Sequence, residues 1–475
     1  MSAEQPAPRR TRAWVLVAVV VALGLVGAVA FRPVALLTGA IVTGAPTTIA
    51  PEMFDPPPTP SVTPAIGNGL AAEAPQAPAG TAPDPATLQA RLDGLDTARL
   101  TASDQPVTSA FVVLDAADGT SLAATNAEVS LIPASNTKLL TATAVMNAFD
   151  GSERFSTKVV QPDPTSIVLV GGGDPLLTTE PVAADTYPQP ASLRELAQLT
   201  AEALQATGDQ SVTLGYDATW FTGPGWNPSW PSKYRDQVTP ITALWADEGR
   251  DGNGARSQDP AAAAAASFAA QLTELGITVT APPQPVTGSG PELAAVESLP
   301  VHVLVEQAVL RSNNSFTEVL GFQLALATGH PATFAGSAAA IREQLAGLGI
   351  WAEGAVLHDA SGLSRANLVS AGLLADVMRY VVSEPRLSGV LDGLPVAGVT
   401  GTLADRFNDE ISQPARGIAR AKTGTLSGVA SLAGVSLTAD GREVVFAFIT
   451  NGSPDGWAAK VWSDQGAGII TGCGC

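Results

Sequence analysis

The sequence predicts an α+β fold: one antiparallel sheet flanked by helices, with an inserted smaller domain. Three observations predict it. Strand-like hairpins stand at both ends of the globular part, helix-like segments cluster between them, and the stretch 155–300 differs in character from both and interrupts the helices. With 475 residues, 45% of them apolar, the chain has room for two domains or for one domain carrying a large insertion.

Residues 1–12 carry Arg9, Arg10 and Arg12, and residues 13–31, AWVLVAVVVALGLVGAVAF, are an unbroken run of apolar residues and glycine. Positive charge before a run of about one bilayer crossing predicts a membrane anchor with 1–12 in the cytoplasm and the rest outside. Secretion after cleavage of a signal peptide is the rival reading, because Ala28 and Ala30 make an A-x-A site. The run is longer than the usual signal core of about 7 to 15 residues, which favours retention. Residues 32–87 are rich in Pro, Ala and Thr with almost no apolar periodicity, and are expected to form an extended linker.

The globular part is expected over 88–154 and 301–475. AFVVLDAADGTSLAATN reads as a hairpin across an Asp-Gly turn, and ARAKTGTLSGVASLAGVSLTADGREVVFAFITN gives three more strands, the last two joined by another Asp-Gly turn. A helix-compatible GWAAKVWSDQ follows. The two ends are expected to meet in one antiparallel sheet. Between them, segments starting at Ser135, Ala191, Ala261, Val301, Phe334 and Ser370 have helical composition, several ended by glycine. Within 155–300, FSTKVVQ, SIVLVGGGD and QSVTLGYD look like strands among Trp-rich loops, and Asp174-Pro175 after three glycines reads as a turn because no G-K-[ST] follows.

Composition excludes some functions. A net charge of -19 argues against nucleic acid as a partner. His302, His330 and His358 lie far from one another and from Cys473 and Cys475, so a Cys/His metal site has little support. The two cysteines could pair in an oxidising compartment, or form a tail without catalytic duty.

Three short motifs carry chemistry. Ser135-Asn136-Thr137-Lys138 follows a Pro133-Ala134 breaker and opens a helix, which puts Ser135 and Lys138 at i and i+3 on one face. There the positive helix end favours an alkoxide, and a neutral lysine could take the serine proton. Alone, S-x-x-K would normally mark a helix cap and a surface lysine. This chain has only five lysines, however, and this is its only S-x-x-K. Lys422-Thr423-Gly424-Thr425 lies on an expected strand, where a cation and hydroxyls can clamp a carboxylate and glycine permits close approach of a substrate backbone. Ser312-Asn313-Asn314 interrupts a helical stretch with three short polar residues, predicting a connecting turn from which Asn314 can hold a substrate amide. Each motif alone has a bland reading; their order is what carries weight.

These motifs resemble those of the penicillin-recognising serine enzymes. The wider phrases PASNTKLLTA, LVGGGDPLLT, RSNNSFTEVLG, HDASGLSRAN, LPVAGVTGTLADRF and AKTGTLSGVASLAG are similar to class C low-molecular-weight penicillin-binding proteins, the D-alanyl-D-alanine carboxypeptidase/endopeptidases, over roughly Leu88 to Asn451. The resemblance implies the penicillin-binding protein/β-lactamase-like transpeptidase fold. It also implies Ser135 as acylated nucleophile, Lys138 as its base, and Ser312 with Lys422 passing a proton to the leaving D-alanine. Asn314, Thr423, Gly424 and Thr425 would bind substrate, and the backbone N–H groups of Ser135 and Thr425 would form an oxyanion hole. The implied partners are stem peptides of peptidoglycan ending in D-Ala-D-Ala and β-lactam antibiotics, without metal or organic cofactor. One departure is visible: larger relatives carry two nested inserted subdomains, and the run from Trp245 to Ala261 is too short for the second. Endopeptidase action on D-alanyl cross-links stays open beside the carboxypeptidase. A β-lactamase or esterase on the same scaffold and a catalytically idle wall sensor are the rivals.

Overall fold

The computed structural model describes residues 80–101 and 106–475. The expected cytoplasmic segment 1–12, the anchor 13–31 and the linker up to residue 79 lie outside the described residues. Among the described residues no helix is long and apolar enough to cross a membrane.

In chain order, helix α1 (Pro85–Asp93) precedes the hairpin β1 (Thr108–Asp115) and β2 (Ser121–Thr125), and α2 (Thr137–Ala148) follows a single 3-10 turn, Ala134–Asn136. Next come β3 (Ser156–Asp163), β4 (Ser166–Val170), α3 (Leu193–Thr207), β5 (Ser211–Asp217), α4 (Pro260–Glu274) and the short strands β6 (Thr278–Val279) and β7 (Gln284–Pro285), then β8 (Glu292–Glu297). Helices α5 (Val301–Arg311), α6 (Asn314–Ala327), α7 (Phe334–Gly347), α8 (Ala371–Ser383) and the short α9 (Ser388–Asp392) lead to β9 (Arg420–Leu426), β10 (Val429–Leu437), β11 (Glu443–Asn451) and α10 (Gly456–Thr471).

The first sheet has the order β2-β1-β11-β10-β9, antiparallel throughout, and β1 pairs with β11 from Thr108 opposite Asn451 to Asp115 opposite Val444. The chain's two strand-rich ends therefore meet as expected. On β11, Val445, Ala447 and Ile449 face a core shared with α2, α5, α6, α7 and α8. The alternate residues Val444, Phe446 and Phe448 face a second core with α1 and α10. Burial of both faces explains why β11 is apolar almost without interruption instead of alternating.

The stretch 156–297 builds a second sheet, β6-β5-β4-β3-β8 with β7 beside β5. It is mixed: β3 runs antiparallel to β4 and β8, while β5 is parallel to β4, β6 and β7. A parallel step needs a crossover, and α3 supplies it between β4 and β5. Val159, Leu169 and Leu214 pack there against Leu196 and Leu204 of α3 and Phe268 and Leu272 of α4.

Two limits differ from expectation. Helix α1 begins at Pro85, inside the stretch 32–87 read as linker, because Asp84 accepts the Thr87 N–H at 2.9 Å and proline suits the first helical position. Helix α10 continues past Gln465 to Thr471 through two glycines that normally disfavour helix interiors. A Cβ on Gly466 would stand 2.4 Å from the Phe448 ring, and one on Gly468 2.1 Å from the Ile411 carbonyl oxygen. These glycines let the helix lie close to its neighbours. Its end carries a Cys473–Cys475 disulfide, and the Cys475 carbonyl accepts the Asp84 N–H at 2.7 Å.

Candidate active site

Ser135 stands in the 3-10 turn that leads into α2, two residues before the first α-helical residue rather than on the helix itself. Ala134 has φ 49°, a left-handed conformation that non-glycine residues rarely hold. The turn is gripped from several sides. Asn136 Nδ2 donates to Ser431 Oγ at 2.8 Å, and Ser431 Oγ donates to the Pro133 carbonyl at 2.6 Å. Gly362, with φ 87°, lies so close that a Cβ there would be 1.9 Å from the Ala134 carbonyl oxygen.

Lys138, one helical turn on, is fully buried. Its Nζ donates to Ser135 Oγ at 3.0 Å, Asn314 Oδ1 at 2.8 Å and the Ser361 carbonyl at 2.6 Å. An ammonium has only these three donors, so all are engaged. Burial lowers its pKa to about 7, against the opposing pull of Asp359 and Glu318. Near neutrality a lone pair can thus face the Ser135 hydroxyl.

The second motif is a turn between helices. Helix α5 ends at Arg311, Ser312 takes φ 51°, and Asn313 caps α6 by accepting the Phe316 N–H at 3.1 Å. Because Lys138 only donates, Asn314 presents its oxygen to it, and its Nδ2 donates to the Gln237 carbonyl at 3.1 Å. Lys422 Nζ donates to Ser312 Oγ at 2.7 Å and to the Thr423 carbonyl at 2.9 Å. Burial, and then the charge of Lys138, holds the Lys422 amine well below the ordinary lysine range.

The third motif occupies β9, the edge strand beside β10. Thr423 and Thr425 line the cleft, while Lys422 lies buried beneath it. Gly424 has a structural reason within the chain itself. A Cβ there would meet Ser431 Oγ at 2.2 Å and the Pro133 carbonyl at 2.5 Å, so the close approach is by the chain's own Ser135 turn. All three motifs thus converge on one cleft of about 710 Å³, into which Ser135, Ser312, Asn314, Thr423 and Thr425 project.

Sequence reasoning missed several supports. Glu318 on α6 is fully buried and accepts the N–H groups of Ala360 and Ser361, the latter at 2.8 Å, holding the carbonyl that receives Lys138. Burial, then repulsion by Asp359, raises its pKa to about 8. Asp359 accepts from Trp230 Nε1 at 2.7 Å, from the backbone N–H groups of Gly362 and Ser364 and from the Asn367 side-chain amide, fixing the loop that Gly362 belongs to. Thr402 shares a 2.8 Å hydrogen bond with Thr423. Lys233, Asp236, Arg406 and Lys460 also line the cleft. Arg406 is itself held by a bidentate pair with Asp464 at 3.0 and 2.7 Å. The phrases containing Asp359 and Arg406 were legible as text but not as chemistry, since their partners are distant in sequence.

A model of the D-Ala-D-Ala carboxypeptidase 3 (S13) family matches residues 97–252 and 250–472. A carboxypeptidase of Mycobacterium tuberculosis is 34% identical over 385 residues, 76% of this chain and 80% of its own. Carboxypeptidase DacB of Mycolicibacterium smegmatis is 33% identical over 427 residues, 85% of this chain and 91% of its own. Among solved structures, penicillin binding protein 4 from Haemophilus influenzae has a similar fold, with a TM-score of 0.64 and 21% identity over 81% of this chain and 97% of that one.

Proposed function

The chain belongs to the D-Ala-D-Ala carboxypeptidase 3 (S13) family, and from that premise we propose that Ser135 carries out the reaction through an acyl-enzyme. The protein is a serine-type D-alanyl-D-alanine carboxypeptidase of the low-molecular-weight penicillin-binding class. Its substrates are peptidoglycan stem peptides, and β-lactams compete for the same serine.

The observation that carries the residue assignment is the buried Lys138 amine 3.0 Å from Ser135 Oγ. Lys138 takes the hydroxyl proton as Ser135 attacks the carbonyl of the penultimate D-alanine. The N–H groups of Ser135 and Thr425 receive the oxyanion. Ser312, backed by Lys422, passes a proton to the leaving amine, without which an amide cannot depart. Asn314 orients the peptide, and Thr423 and Thr425 receive the terminal carboxylate. Gly424 keeps β9 close enough to the Ser135 turn for this to happen. Water then attacks the ester, with the same base removing its proton.

The catalytic unit is placed outside the cytoplasmic membrane, tethered by residues 13–31 through the linker. The arginines before that run support this placement.

The test is release of D-alanine from a pentapeptide ending in D-Ala-D-Ala, run beside a D-alanyl cross-linked muropeptide. Wild type is expected to release D-alanine and Ser135→Ala to release none; an active Ser135→Ala would sink the assignment. Cleavage of the muropeptide at a comparable rate would add endopeptidase activity.

A further inference from the structure

The chain between Asp236 and Arg256 wraps the Ser312 turn from both sides. Gln237 takes the Asn314 amide through its carbonyl. The Thr239 N–H donates to Ser315 Oγ at 2.9 Å, and Arg256 donates to both Thr239 Oγ1 at 2.8 Å and Ser315 Oγ at 3.3 Å. Glu248 closes the ring: one carboxylate oxygen accepts the Asn313 side-chain amide, and the other lies 2.9 Å from the Arg311 guanidinium as an ion pair. Its carbonyl accepts from Thr239 Oγ1 at 2.8 Å. One carboxylate thereby meets both residues flanking Ser312, Asn313 through a hydrogen bond and Arg311 through charge alone.

The backbone that presents it is unusual. Asp247, Glu248 and Gly249 are consecutive left-handed residues, with φ 51°, 58° and 68°, and two of the three are not glycine. Such a run persists only where its surroundings hold it. Here Asp247 is held through its N–H to the Leu177 carbonyl and its carboxylate to the Thr179 N–H. Ser312 is left-handed as well and has a single side-chain partner, Lys422. Its hydroxyl position therefore depends on how Arg311 and Asn313 are fixed.

We propose that Glu248 is a positioning residue that sets the Ser312 hydroxyl for proton delivery to the leaving group. This rests on the reading of Ser312 and Lys422 given above. Glu248 acts through Asn313 and Arg311 and does not touch substrate. The step it supports leaves a chemical signature. An amide nitrogen must be protonated as the C–N bond breaks, whereas a thiolate, whose conjugate acid has a pKa near ~8.5, departs as the anion. Misplacing Ser312 therefore slows amides and spares thiolesters with the same acyl group.

The experiment measures kcat for a D-Ala-D-Ala peptide and for its thiolester analogue in wild type, Glu248→Gln, Glu248→Ala and Ser312→Ala. Glu248→Gln keeps an acceptor for Asn313 and loses only the charge on Arg311, so it guards against a variant that fails to fold. The expected result is a fall of about 10-fold or more in peptide kcat for Glu248→Ala, a smaller fall for Glu248→Gln, and thiolester kcat within about 2-fold of wild type in both. Equal losses on both substrates in Glu248→Gln, or no loss on either, would overturn the proposal. If Ser312→Ala itself fails to separate the two substrates, the assignment of Ser312 falls, and the role of Glu248 with it.

Discussion

At the scale of single residues, the proposed acylation depends on one amine kept out of water. Burial brings Lys138 to about 7, so acylation by a labelled penicillin should slow as pH drops through about 7, when the ammonium can no longer accept the Ser135 proton. A rate profile flat from pH 5 to 8 would contradict this. Lys138→Ala should reduce the acylation rate by about 10²–10⁴-fold, measured by stopped-flow or timed labelling. Ser135 and Lys138 were legible in sequence because both stand in one helical turn. Glu318 was not, because its partners Ala360 and Ser361 are more than forty residues away and no local pattern announces them.

At the scale of elements, the site is a junction at which the Ser135 turn, the α5–α6 turn and strand β9 are pressed together. Gly362 shows how little room remains: Gly362→Ala puts a Cβ onto the Ala134 carbonyl in a conformation that disfavours side chains. It should destabilise the protein by about 1–3 kcal/mol in thermal or urea unfolding and reduce penicillin labelling in the folded fraction. Unchanged labelling would mean that the turn relaxes freely. Helix α10 holds the opposite face of the sheet through Trp462, whose ring packs edge-on to Phe448 at 5.3 Å between centroids. Trp462→Ala should cost about 3–5 kcal/mol. The beginning of this helix was readable from composition. Its last turn was not, since Gly466 and Gly468 look like helix stops until Phe448 and Ile411 are seen against them.

At the scale of the whole molecule, the main sheet joins strands from both ends of the globular part, and the stretch 156–297 adds a second sheet whose neighbouring loops reach the active site. The hairpins and the ordered motifs made the first sheet readable. Two strands of the second stayed hidden, because β6 and β7 are two-residue strands with no periodicity to detect. Equally hidden was the packing of Phe221, Trp230 and Trp245 onto α6 and α7, which brings the strap around Ser312 into place. The anchor has its own test: the full chain should fractionate with membranes and resist a salt wash, and deletion of residues 13–31 should release a protein that still binds penicillin. A full chain found in the soluble fraction would contradict the anchor. Intact-mass and peptide-mapping mass spectrometry after brief exposure to benzylpenicillin locates the nucleophile directly. One penicilloyl adduct per chain, on Ser135, is expected; an adduct on another residue, or none, would overturn the assignment of Ser135 as nucleophile.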